Sequence, residues 1–172
     1  TQTEVAKVAK LASASEADVL YFADSLGSMD PDETSNYVEM LKAGWSRPLG
    51  IHTHDNMGLA MANSLRAVKE GVSWIDSTVT GMGRGAGNAS TENLVLALQA
   101  KRSCQFSIEP LLSIIDSYFL PLKSSCKWGT NPLFFLAGQH GIHPTYIQEM
   151  LNDQRFTNTD ILAVVDRLKL YG

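Results

Sequence analysis

The stretch 47–56, Arg-Pro-Leu-Gly-Ile-His-Thr-His-Asp-Asn, constrains the chain more than any other. Side chains alternate faces along an extended strand, so His52 and His54 project to one side and Ile51 and Thr53 to the other. Two imidazoles on one face can grip a single metal ion. Taken alone, a His-x-His pair is equally compatible with two solvated side chains in a loop. Its surroundings narrow the choice: an apolar run leads in, Asp55 and Asn56 follow, and Gly58 opens an amphipathic helix. That order describes the C-terminal mouth of a buried parallel strand, where α/β barrels carry their chemistry.

The flanking sequence repeats the strand-then-helix rhythm. Residues 3–12 have helical apolar spacing, and residues 17–23 form a short buried strand ending in Asp24-Ser25-Leu-Gly-Ser-Met29. Asp30-Pro31-Asp32-Glu33 is a helix start, with Asp30 as cap and Glu33 reaching back to it. Gly44 closes that helix. After the strand bearing His52 and His54, residues 59–70 place Leu59, Ala62, Leu65 and Val68 on one helical face, and residues 74–80 predict a third strand. Strands separated by helices and short loops imply a parallel α/β sheet.

Residues 81–88, Gly-Met-Gly-Arg-Gly-Ala-Gly-Asn, place four glycines in seven positions directly after that strand, which lets backbone amides turn toward a ligand. A plain flexible turn is the alternative. The loop has no Gly-Lys-Ser/Thr ending, and Ala86 displaces the third glycine of a dinucleotide fingerprint, so both nucleotide motifs are rejected. Ser90 or Thr91 caps a helix through Gln99. Beyond Lys101 only helices are expected, over 108–122, 133–137, 144–151 and 161–168, the last capped by Thr157 with Asp160. His140 and His143 sit at helix boundaries and suit capping or surface roles. The division that follows is 1–102 for the βα units and 103–172 for a helical C-terminal region.

Composition excludes several function classes. A formal charge of −4 gives no basic footprint for nucleic acid or an anionic membrane surface. No apolar run approaches the ~20 residues of a membrane span. Cys104 and Cys126 lie in no metal or redox spacing and are expected to be reduced thiols of a cytoplasmic protein.

The strings His-Thr-His-Asp-Asn-Met-Gly-Leu-Ala from His52, Gly-Met-Gly-Arg-Gly-Ala-Gly-Asn-Ala from Gly81, and Thr91-Glu92 together resemble the DRE-TIM metallolyase superfamily, also called HMGL-like. The resemblance spans roughly residues 17–99 and implies a fold: the C-terminal half of a (β/α)8 TIM barrel followed by a small helical tail. A whole barrel needs ~250 residues and eight strands, and the family's first strand, with its arginine and aspartate, has no counterpart before Ala17. A half barrel leaves two sheet edges open, so part of the apolar tail is expected to meet another chain or to cover the barrel's outer helices.

Family resemblance also implies roles. His52, His54 and Asn88 would hold a divalent ion, magnesium or manganese, with zinc compatible with the same donors. Asp24 and Ser25 would meet the substrate, Ser25 donating to its carboxylate and Asp24 orienting it; a local strand-end turn is the alternative. From their position directly after the pair, and not from the resemblance, Asp55 and Asn56 would orient the imidazoles, or ligate directly. The ending Ala-Asp-Ser-Leu-Gly-Ser-Met and the helical tail resemble the 4-hydroxy-2-oxovalerate aldolase branch, and the glycine loop lacks the lyase branch's cysteine. The implied activity is aldol cleavage of a 4-hydroxy-2-oxoacid to pyruvate and an aldehyde. An acyl-CoA-dependent Claisen synthase and a non-catalytic barrel half are the alternatives. Such aldolases form homodimers and pair with an aldehyde dehydrogenase. One departure is that residues 128–136 hold no tyrosine, which the aldolases place in their helical domain.

Overall fold

Three parallel strands, β1 (Leu20–Asp24), β2 (Leu49–Thr53) and β3 (Trp74–Ile75), lie side by side in chain order. The computed structural model of the protein describes residues 2–100 and 107–170. The register sets Ala23 beside His52, Asp24 beside Thr53, Gly50 beside Trp74 and Ile51 beside Ile75. Helices α1 (Gln2–Ser13), α2 (Pro31–Lys42) and α3 (Ala60–Lys69) precede or connect the strands. This is the βα arrangement of part of an α/β barrel.

The alternation read from the sequence decides the two faces. Leu20, Phe22, Leu49, Ile51 and Ile75 share one face and pack with Ala9, Val38, Leu41, Trp45, Ala67 and Val72 into the first core, with Ile51 fully buried. Tyr21, Ala23, Gly50, His52 and Trp74 share the other, where Tyr21 and Trp74 are exposed. Helix α2 begins as expected: the Asp30 carboxylate accepts from the Asp32 and Glu33 amides, and Glu33 accepts from the Asp30 amide.

Two local expectations change. The buried face of α3 is Ala60, Asn63, Ser64 and Ala67, not the larger apolar row beginning at Leu59. Small residues let the helix approach β2 closely, where the Thr53 hydroxyl meets the Ser64 hydroxyl at 2.9 Å and the Ala60 carbonyl at 3.2 Å. The third strand stops after Ile75 instead of continuing to Thr80. There the returning segment takes over the pairing: the Ala89 amide donates to the Thr53 carbonyl, and the Thr78 amide donates to the Ala89 carbonyl. Residues 79–81 then form a 3-10 turn with Thr80 in the left-handed region.

Helix α4 (Thr91–Gln99) follows the glycine loop, with Ser90 at its cap position. The expected helix over 108–122 is α5 (Glu109–Ile114), a π turn (Ile115–Phe119) and α6 (Leu120–Cys126) in succession. Pro121 has no amide to give, and the wide turn falls just before it. Then come α7 (Pro132–Gln139), α8 (Pro144–Asn152) and α9 (Asn158–Leu168). His143 Nδ1 accepts from the Thr145 amide as a cap, and Thr157 with Asp160 forms a capping box. Phe134, Ala137, Ile142, Ile147, Ile161 and Val165 bury one another in a second core, joined by Ala86 of the glycine loop. Cys126 is a free exposed thiol, and Cys104 lies outside the described residues. Among the described residues no helix is long and apolar enough to cross a membrane.

Ile51→Ala should cost about 2–5 kcal/mol in urea unfolding, because the cavity opens where helices and sheet meet. Asp30→Ala should cost only about 1 kcal/mol, the usual loss of a cap.

Candidate metal and substrate site

His52 and His54 sit at and just past the end of β2, their rings 4.9 Å apart in an edge-on arrangement. His54 Nδ1 lies 2.9 Å from the backbone carbonyl of Asp24. A carbonyl only accepts, so the hydrogen of that ring is assigned to Nδ1, and Nε2 keeps its lone pair. His52 Nδ1 lies 3.2 Å from Asp76 Oδ2, which favours the same tautomer. Burial holds the His54 pKa below its ordinary value; the hydrogen bond to the Asp24 carbonyl opposes this, and the nearby Arg84 guanidinium adds to it. The ring is therefore neutral at neutral pH, the form that ligates a metal.

Asn88 reaches this place through the glycine loop. It bridges His54 in an isolated antiparallel pair, while the neighbouring Asp55 amide donates to the Gly87 carbonyl at 2.8 Å. The loop closes only because Gly87 has φ +89° and no side chain: an added Cβ would lie 1.9 Å from the Gly81 carbonyl oxygen. Asn88 Nδ2 donates to the Met82 carbonyl at 3.0 Å, which fixes the amide and leaves Oδ1 buried without a partner. A buried amide oxygen left unpaired is costly unless something positive meets it. Imidazole nitrogens and an amide oxygen are donor types that magnesium, manganese or zinc accept. Among the described residues no three His, Cys, Asp or Glu side chains are grouped so as to hold a metal by themselves.

A sequence profile of the HMGL-like family matches residues 1–116. The chain belongs to the HMGL-like family. It is 43% identical to the 4-hydroxy-2-oxovalerate aldolase of Pelotomaculum thermopropionicum, over 98% of this chain and 50% of that protein. The same-named protein of Brevibacillus brevis is 44% identical over 98% of this chain and 51% of its own length. Among solved structures, the N-terminal domain of an aldolase candidate from Bacteroides vulgatus superposes with a TM-score of 0.81 at 31% identity, covering 93% of this chain and 52% of that one. The chain thus spans about half the length of the curated relatives it matches.

In this HMGL-like chain the remaining expected residues are placed as follows. The Asp24 carboxylate is buried on the helix-packed face and accepts from the Ser28 and Met29 amides at 3.0 and 3.2 Å. Burial raises its pKa, with those amides opposing. Its side chain hydrogen-bonds within the strand-end turn, and its carbonyl accepts from the His54 ring. Ser25 is exposed, in the turn that directly follows β1. Asp55 and Asn56, expected beside the imidazoles, hydrogen-bond elsewhere. Asp55 Oδ1 accepts from the Ala60 amide at the start of α3. Asn56, buried, donates to the Leu26 carbonyl and accepts from the Ala86 amide, tying the β1 loop to the glycine loop.

Three supporting residues, Glu92 of the Thr91-Glu92 motif among them, have no role assigned from the sequence. Asp76 supplies the carboxylate that Asp55 was expected to provide. Glu92 accepts from the Thr80 amide at 3.0 Å, and Trp128 Nε1 donates to the Thr80 carbonyl at 3.1 Å. Together they hold a β-branched residue in the left-handed region, a conformation that persists only when its surroundings enforce it. Asp76 was legible only once β2 and β3 were set in register, since it follows Ile75, the partner of Ile51.

Asp55→Ala should lower stability by about 1 kcal/mol through the lost helix-start bond, and calorimetric titration should find divalent-metal affinity nearly unchanged. Gly87→Ala should lose stability by more than about 1 kcal/mol and weaken metal binding together, because the loop must open and carry Asn88 with it.

Proposed function

We propose that this chain carries the metal-binding and substrate-binding part of a divalent-metal-dependent aldolase acting on a 4-hydroxy-2-oxoacid. The observation that carries the reading is the strand-end pair His52 and His54, each with Nδ1 engaged, beside the unpartnered Oδ1 of Asn88. The 43% identity to a 4-hydroxy-2-oxovalerate aldolase supports the substrate class. Residues 1–102 form the barrel part and 103–172 the helical region, in a cytoplasmic enzyme.

The ion, magnesium or manganese, acts when bound as a Lewis acid toward the oxygens of the 2-oxoacid. His52, His54 and Asn88 hold it. Ser25, in the exposed turn after β1, donates to the substrate carboxylate. In the reaction the C3–C4 bond breaks, the 4-hydroxyl loses its proton to give an aldehyde, and C3 takes up a proton to give pyruvate. The engaged Nδ1 atoms keep both rings from turning, so the donors stand ready before the substrate arrives. A homodimer and transfer of the aldehyde to an aldehyde dehydrogenase accord with exposed Tyr118, Leu120, Phe135 and Tyr146 on the tail helices.

In the full-length protein, His52→Ala or His54→Ala should reduce metal-dependent pyruvate release by about a hundredfold or more, since even partners of metal ligands commonly matter by 10–100-fold. Chelation should abolish the activity, and added manganese or magnesium should restore it. Full activity in either histidine variant would sink the assignment.

A further inference from the structure

Tyr21 stands on the open face of the sheet with no part in that reading, and Asp76 enters it only through its contact with His52. Tyr21 is on β1, yet its ring does not stand clear of the sheet. It lies across Gly50 of β2, so closely that an added Cβ there would meet Cζ at 2.4 Å and Cε1 at 2.5 Å. The glycine is otherwise unexplained, because glycine inside a strand weakens it and offers nothing to pack. Its absent side chain lets a tyrosine reach over the middle strand toward the third. Asp76 stands there, one residue past β3, its amide donating to the Ile51 carbonyl at 3.0 Å. Burial holds the Tyr21 phenol above its ordinary value, and the charge of Asp76 and a hydrogen bond to its carboxylate add to the effect.

Asp76 Oδ2 in turn lies 3.2 Å from His52 Nδ1. The two side chains are 32% and 47% exposed, and contacts this wet contribute little to stability. What such a contact does control is which ring nitrogen carries the hydrogen.

We propose that Tyr21 and Asp76 are positioning residues for His52: Tyr21, lying across Gly50, steadies the Asp76 carboxylate, and Asp76 keeps the His52 hydrogen on Nδ1 so that Nε2 is left as a donor. The consequence for an ion rests on the metal-dependent reading above; the tautomer does not. Gly50 is then the element that makes the arrangement possible, and the three strands act as one unit behind a single imidazole.

The test uses the full-length protein with two readouts: nitrogen-15 NMR of the histidine rings without metal, and manganese binding followed by electron paramagnetic resonance. Asp76→Ala should move the His52 hydrogen toward Nε2 and weaken manganese binding by about 10–100-fold. Tyr21→Phe should weaken it by about three- to tenfold, the loss of one hydrogen bond, and Gly50→Ala should match Tyr21→Phe by displacing the ring. An unchanged His52 tautomer in Asp76→Ala, with manganese affinity within about twofold of the parent, overturns the proposal. If the parent takes up no manganese, the metal reading fails, and the tautomer in Asp76→Ala still decides the role of Asp76. Should Asp76→Ala not fold, Asp76→Asn and Tyr21→Phe carry the same two readouts.

Discussion

A parallel strand that buries one face under helices has only its other face and its C-terminal end with which to meet a ligand. β2 obeys this constraint, and the rest of the arrangement depends on it. Ile51 and Thr53 are spent on the helix side, so His52 and His54 must face away from it, one step apart on the same side. Burial of Ile51 thus does more than stabilise the sheet. It fixes which way two imidazoles point, because a shift of one residue would exchange the two faces.

The glycine loop turns that strand end into a site. Its returning arm pairs with Thr53 at the end of β2, with Asp55 just past it and with Thr78 beyond β3, so Asn88 arrives beside His54 as part of the backbone pairing and not by side-chain chance. The tail is joined to the same loop. Ala86 is built into the tail's core, Gln148 of α8 accepts from the Gly85 amide at 3.0 Å, and Trp128 holds Thr80. Packing far along the chain therefore bears on the placement of Asn88. Asn56 closes the circuit on the other side by joining the loops that follow β1 and β3.

Electrostatics and hydrogen bonding agree with that geometry. Desolvation keeps His54 neutral, and a carbonyl acceptor sets its tautomer; both favour a lone pair at Nε2. The Asn88 amide is fixed through its nitrogen, leaving its oxygen unpaired. Each of the three side chains is thus fixed through one polar atom, His52 and His54 through Nδ1 and Asn88 through Nδ2.

The sequence by itself determined what depends on near neighbours. The period-two alternation of residues 47–54 determined the shared side of the two histidines, the box Asp30 to Glu33 determined the start of α2, and Thr157 with Asp160 did the same for α9. The family motifs are likewise contiguous strings, so Asn88 was identifiable from the residues around it. Tertiary structure decided whatever depends on which segments become neighbours. Helix α3 presents its small residues because β2 lies close enough to bond to Ser64. β3 ends early because residues 87–91 supply the next partners. Asp55 belongs to the start of α3, whereas Asp76, 24 residues from His52, supplies the carboxylate. Tyr21 reaches across Gly50 only when three strands lie in one register. Local patterns are set by bonds along the chain; these contacts are set by the packing of helices and strands against one another, and no stretch of sequence contains them.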